Sequence, residues 1–264
     1  MKTWLLLVVG VLGVRTDAVA QVQEPDVLYL TGESDSGASV SGGGGEAAWL
    51  HAVSLQSGVI FGGASMALAD VRWTYGTVGA FTRRRTGIYS GRLSLGSGQH
   101  SPGRFAYVRS VGTFTIPIGR SVYVEAEGQY ARAVSAATRV FTLGASYSGI
   151  QRTSLRFAYH TALSGLVHAE YISGRGDLNL GRFTMLGGMT ATARTTAPVD
   201  LRALDLMTHA MPEYFVGSSV GVRRSRVMCI GQVLPQPSGH ALRVTMTVKL
   251  PLGSSQTPSP EVVK

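Results

Sequence analysis

The side chains in this sequence with the most chemistry to offer are its arginines, which outnumber lysines 21 to 3. A guanidinium presents a planar fork of donors that grips carboxylates and phosphates in pairs of parallel hydrogen bonds. Arginines facing an enclosed space would therefore favour anions or hold an acidic glycan or a phosphate. Seven charged residues fall on alternate positions of apolar runs and are the candidates for such a lining: Arg72, Arg92, Glu125, Glu127, Arg156, Arg243 and Lys249. The alternative is a self-neutralised interior, in which Arg156 and Arg243 are paired with Glu125 and Glu127.

Nucleophilic chemistry needs a base next to a hydroxyl or thiol. The nearest approaches are His160 with Ser164, and His168 with Glu170, the latter two on one face of a strand. Neither makes a recognised catalytic pattern, and the six histidines are scattered, so no catalytic residue, metal site or cofactor is expected. Gly42 to Gly45 lack the lysine and following helix of a phosphate loop. Arg175-Gly176-Asp177 spells an adhesion tripeptide but reads as a glycine turn. The single cysteine, Cys229, excludes an internal disulfide framework and a thiolate zinc cluster.

Strands must position these groups. With 15% charged residues and 34 glycines, the chain fits neither an ordinary soluble domain nor a disordered one. After residue 46, polar and apolar residues alternate over many segments. Val71, Trp73 and Tyr75 alternate with Arg72 and Thr74, and Leu242, Val244, Met246 and Val248 alternate with Arg243, Thr245, Thr247 and Lys249. A soluble β-sandwich shows the same period. Segment length favours a membrane barrel, since a tilted strand needs about 9 to 11 residues to cross the hydrocarbon.

Punctuation by glycine, proline and serine divides the chain into twelve strands: 48–59, 66–81, 86–96, 104–118, 121–133, 138–148, 153–162, 166–173, 179–192, 214–222, 226–233 and 240–250. Tight turns are expected to alternate with longer loops, the sign of an outer-membrane barrel. The expected fold is thus all-β, a transmembrane antiparallel β-barrel of about 12 strands. Arginines 83, 84, 85, 120, 175, 223 and 224 would lie in the short turns at the periplasmic rim. Trp49, Trp73, Tyr75, Phe81, Tyr89, Tyr107, Tyr147, Tyr171 and Tyr214 are candidates for interfacial girdles.

Residues 1–20 read as a signal peptide, with Lys2, an apolar core and Ala18-Val19-Ala20. Residues 21–46 read as an acidic, glycine-rich leader, 47–252 as the barrel and 253–264 as a polar tail. The leader holds five acids and no base, whereas residues 47–253 hold 21 basic and 8 acidic residues. Charge complementarity makes the leader a candidate plug for a basic lumen; a solvated linker is the alternative. Leu201, Leu204, Met207 and Met211 have helical spacing and suggest a short helix in an external loop.

The run Ser121-Val122-Tyr123-Val124-Glu125-Ala126-Glu127-Gly128-Gln129-Tyr130, with Phe141 to Tyr147, Leu155 to Tyr159 and Ser173 to Gly176, resembles the strand and turn pattern of the YaiO-type outer-membrane barrels. The resemblance implies an integral protein of the cell outer membrane and brings no reaction or site residues with it. The chain departs from such barrels in ending its last strand near Leu250-Pro251-Leu252, ahead of a polar tail, rather than on a terminal aromatic residue. The expected function is a narrow passive pore or a surface component of envelope or exopolysaccharide traffic, with a basic lumen. A lipid hydrolase and a structural or receptor barrel are the alternatives. Expected partners are outer-membrane lipids and lipopolysaccharide, the barrel assembly machinery, and anionic solutes or glycans. Nucleic acid is not expected, because a secreted chain without a groove-reading helix has only its basic charge in favour.

Overall fold

In a computed structural model, which describes residues 26–37, 41–54, 56–100, 103–133, 136–165, 167–195, 213–236 and 239–252, fourteen antiparallel strands close into one barrel. They are β1 (Asp26–Gly37), β2 (Ser41–Ala52), β3 (Ser57–Leu68), β4 (Val71–Arg84), β5 (Gly87–His100), β6 (Gly103–Ile118), β7 (Val122–Ala133), β8 (Ala136–Tyr147), β9 (Thr153–Ser164), β10 (Val167–Leu180), β11 (Phe183–Thr195), β12 (Tyr214–Val222), β13 (Ser225–Gln236) and β14 (Gly239–Pro251). Each strand pairs with its sequence neighbours, and β1 closes the ring against β14 from Val27↔Pro251 to Gly37↔Ala241. Because the strand number is even, both ends of the barrel leave from one rim. The signal-peptide segment, the external-loop helix and the polar tail lie outside the described residues.

The strand count corrects the expected twelve, and both extra strands come from the first 70 residues. Of the leader or plug expected over 21–46, residues 26–37 are β1 and 41–46 are half of β2, and both belong to the wall. One apolar run read as a single strand over 48–59 is divided between the end of β2 at Ala52 and the start of β3 at Ser57. There the Ser54 hydroxyl accepts the backbone N–H groups of Gln56 and Ser57 at 3.1 and 3.0 Å. The expected strand 66–81 is likewise cut by Ala69-Asp70, with Ala69 at φ 52°. From β6 onward, most expected strands match the observed ones to within three residues at each end and β12 agrees at both ends, but the expected 166–173 runs on to Leu180 in β10 and the expected 179–192 begins at Phe183 in β11. The sorting of connections into short and long does not hold. The one connection longer than five residues joins β11 to β12, and Gly174 to Leu178, expected as a turn, lies inside β10.

The glycine run at the start of β2 is strand because its neighbours come too close for side chains. A Cβ on Gly44 would lie 2.5 Å from the Ser65 carbonyl oxygen and 2.5 Å from the Met66 sulfur, and one on Gly43 would lie 2.6 Å from the Glu33 carbonyl oxygen. Glycine thus permits the β1–β2–β3 wall to approach tightly. Gly44→Val is expected to destabilise the barrel by about 1–3 kcal/mol through overpacking, read as a lower urea midpoint for the refolded protein in vesicles. An unchanged midpoint would show that the wall yields at no cost.

The two faces of the wall are chemically inverted relative to a soluble protein. Phe61, Val78, Leu95, Phe141, Leu143, Phe157, Ile172, Met189, Val216 and Met246 point outward and are exposed. The described helices include none long and apolar enough to cross a membrane, but hydrocarbon tolerates a strand protein when the sheet is closed and every backbone group is paired. At 9 to 16 residues, the strands are long enough to cross it.

Candidate functional site

The inward positions form the candidate site. Arg92, Glu125, Glu127, Arg156, Arg243 and Lys249 all stand on the lumen face, alternating with outward residues of their strands. Arg72 does not. In β4 the inward residues are Val71, Trp73, Tyr75 and Thr77, while Arg72 and Thr74 are exposed on the outer wall. The polar face was expected to be the wet one. Arg72 lies at the start of β4, near the rim opposite the termini, and the lumen mouth there is filled instead by Leu68, Val71, Trp73, Phe105 and Tyr107.

Inside, the charges are arranged in pairs. At the closing seam, Arg243 Nε donates to Asp35 Oδ1 at 2.6 Å and Nη2 to Oδ2 at 2.8 Å; both side chains are 3% exposed. Arg156 is bonded to Glu125. Arg175 stands opposite Arg156 in the β9–β10 register, an arrangement that would repel, but it is bridged to Asp177 on its own strand. Ser154 adds a further bond to Asp177 at 3.2 Å. The tripeptide at 175–177 is therefore a strand segment with both charges engaged on the lumen side, not a turn. Its arginine does not belong with those of the turns, whereas Arg85, Arg120, Arg223 and Arg224 lie in turns at the rim of the termini, with Arg83 and Arg84 at the end of β4.

A second group spans β5 to β7. Arg109 Nη2 donates to Gln129 Oε1 at 3.0 Å, and Gln129 Nε2 donates to Glu127 Oε1 at 2.6 Å. Arg92 lies within electrostatic reach of Arg109, Glu127 and Glu46. Although they face the inside of a barrel, Arg92, Arg109, Glu127 and Arg243 are all buried. Side chains therefore pack the described interior around them. Arg109 Nε is buried without an acceptor among the described residues.

Arg109, Asp35, Glu33, Glu46 and Arg175 are lumen-face residues that the pattern did not single out. Arg109 shares its face with Phe105, Tyr107 and Val111, so no clean polar stripe marked it. Glu33, Asp35 and Glu46 stood in the expected leader. The proposed complementarity of that acidic segment with a basic lumen is present in another form, with Asp35 meeting Arg243 from the wall.

The two histidines singled out from the sequence, His160 and His168, bond to hydroxyls, whereas His51 and His240 bond to the carboxylates of Asp26 and Glu213. His160 is buried between Thr142 Oγ1 at 2.9 Å from Nδ1 and Ser173 Oγ at 2.7 Å from Nε2. Ser164 instead accepts from Thr138 at 2.8 Å, so the His160 and Ser164 pair does not form. His168 and Glu170 share the outer face at 3.8 Å, with Thr161 2.9 Å from the ring. The described residues contain no group of three or more possible metal ligands. Of the aromatic candidates, Trp49, Tyr89 and Tyr147 face outward near the rim of the termini and Tyr214 near the other; Trp73, Tyr75, Phe81, Tyr107 and Tyr171 face inward.

A closed antiparallel barrel with an apolar outside and charged inside is the architecture of outer-membrane β-barrels, and solved structures of that class match it. The CymD monoaromatic hydrocarbon channel superposes with a TM-score of 0.59 at 8% identity, covering 86% of this chain and 88% of that one. A bacterial polysaccharide outer membrane secretin gives 0.57 at 8%, covering 88% and 100%. The Ralstonia pickettii toluene transporter TbuX gives 0.53 at 8%, covering 86% and 89%. At such identities the likeness is one of fold. No protein-family model and no curated protein matches the sequence.

Proposed function

We propose that this protein is an integral barrel of the outer membrane, akin to the YaiO-type barrels, acting as a narrow pore or as a surface component in the movement of envelope material. The observation that carries this reading is the pairing of an apolar exterior with an interior of charged side chains. That division has a use only where hydrocarbon lies outside and polar matter within. The solved barrels of like fold include hydrocarbon channels and a polysaccharide secretin, so the architecture is compatible with passage of either apolar or glycan cargo.

The burial of Arg92, Arg109 and Glu127 favours a tight constriction over a wide aqueous channel. In planar bilayers the mature protein is expected to conduct roughly tenfold less than an open 16-stranded barrel. Replacing both Arg92 and Arg109 by Ser is expected to raise conductance several-fold and to weaken any preference for anions. Absence of conductance in both proteins would remove the pore reading and leave a structural or receptor barrel, which the packed interior also suits. A hydrolase would show lipid cleavage abolished by His160→Ala; we propose instead that no such activity exists to be lost.

A further inference from the structure

The outer wall has a notch at the rim opposite the termini. Strand β6 begins at Gly103, but its pairing with β7 begins only at Val108↔Arg132, so Gly103 to Tyr107 are bonded to β5 alone among the described pairs. A cavity of about 550 Å³ occupies this step, and its lining includes Arg104, Arg132, His100, Ala106 and Val108. Arg104 and Arg132 are exposed, and neither forms an ion pair with a described carboxylate. Of the lining residues, His100 lies 3.7 Å from the Asp70 carboxylate.

The cavity belongs to a larger cationic shelf. Arg72, Gln99 and Arg104 stand in one cross-strand row on the outer face of β4, β5 and β6, and all are exposed. With strands about 4.8 Å apart, Arg72 is about 10 Å from Arg104 along that row. Arg139 extends the shelf on β8, beside Tyr130 of β7. The lining itself turns apolar at Ala106 and Val108, with exposed Leu95 directly opposite Val108. Cations set beside apolar residues on the outward face of such a wall complement one kind of molecule, an anionic lipid. A guanidinium pair suits phosphate oxygens in particular, and charges spaced along the shelf suit a headgroup with more than one phosphate.

We infer that the notch between Arg104 and Arg132 binds a phosphate of a phosphorylated glycolipid in the outer leaflet, with Arg72 and Arg139 flanking it. The inference rests on the outer-membrane placement proposed above, with the termini on the periplasmic side.

The test uses the full mature chain refolded in neutral detergent micelles and titrated with diphosphorylated lipid A, with the same lipid A stripped of phosphate, and with phosphatidylglycerol. Wild-type protein is expected to bind diphosphorylated lipid A at least about tenfold more tightly than the other two. The double variant R104S/R132S is expected to lose that margin while keeping heat-modifiable mobility. The control R84S/R120S, changed at the rim of the termini, is expected to keep it. Equal binding of the stripped lipid or of phosphatidylglycerol overturns the inference without reference to any variant, and so does unchanged affinity in R104S/R132S. If the protein stays soluble without detergent and shows no heat-modifiable form, the outer-membrane placement itself has failed, an outcome distinct from a folded barrel indifferent to lipid A.

Discussion

A chain lacking residues 26–37 is expected to yield no compact, heat-modifiable barrel on refolding into detergent. β1 supplies both sides of the closing seam: Val27 to Gly37 pair with β14, and Asp26 to Ser36 pair with β2. Without it, two strand edges face hydrocarbon, where each unpaired backbone group costs several kcal/mol. The remaining thirteen strands have no simple repair. β2 and β14 are each antiparallel to β1 and thus parallel to each other, so direct closure would need a parallel seam in an otherwise antiparallel wall. A plug or linker would behave differently, since its removal would leave the barrel intact and change at most its conductance. The measurement is gel mobility of unheated against boiled samples, with protease resistance as a second readout. A truncated chain that refolds to a compact, protease-resistant form would show that the seam lies elsewhere.

Arg243→Ala is expected to destabilise the barrel by about 3–5 kcal/mol, because it leaves the Asp35 carboxylate buried and alone. The pair is doubly bonded and 3% exposed on both sides, so water cannot take the place of the lost guanidinium. The same pair ties the last strand to the first, and its loss weakens the β1–β14 seam, which joins opposite ends of the sequence. The double variant D35L/R243L is expected to recover much of the deficit, since the cost lies in the stranded charge rather than in the absence of the pair. Denaturant unfolding of the refolded protein in vesicles separates these outcomes. A single variant as stable as the wild type would mean that the seam pair is hydrated in the membrane-embedded protein.

The all-β class, most of the strands from β6 to β14 and the inward placement of Glu125, Glu127, Arg156 and Arg243 were readable from residue order alone, but the second half of β10 was not. Alternation with period two is a local property of an extended chain, and where one face is uniformly apolar the other must be the lumen. Proline, glycine and serine marked most of the turns in this half for an equally local reason, since they set backbone angles or cap them from their own side chains.

The first 70 residues resisted because their strand character is not local. Gly42 to Gly45 carry no side chains and hence no period; they are extended because β1 and β3 flank them on both sides, at Gly42, Gly43 and Gly44 at distances only glycine permits. β1 sets Thr31, Glu33 and Asp35 on its inner face, which makes it look like a solvated leader until Arg243, 208 positions away, is brought beside Asp35. The sidedness of β4 was likewise undecided locally, because Arg72 on one face and Trp73 on the other fit either assignment. Packing settles it: Trp73 fills the lumen mouth with Leu68, Val71, Phe105 and Tyr107, and Arg72 is left exposed on the outer face near the rim. Residue order thus gives the rhythm of a strand and its two faces. Closure of the ring assigns which face is dry, which charges meet and where the wall begins, because those depend on partners that only the whole sheet brings together.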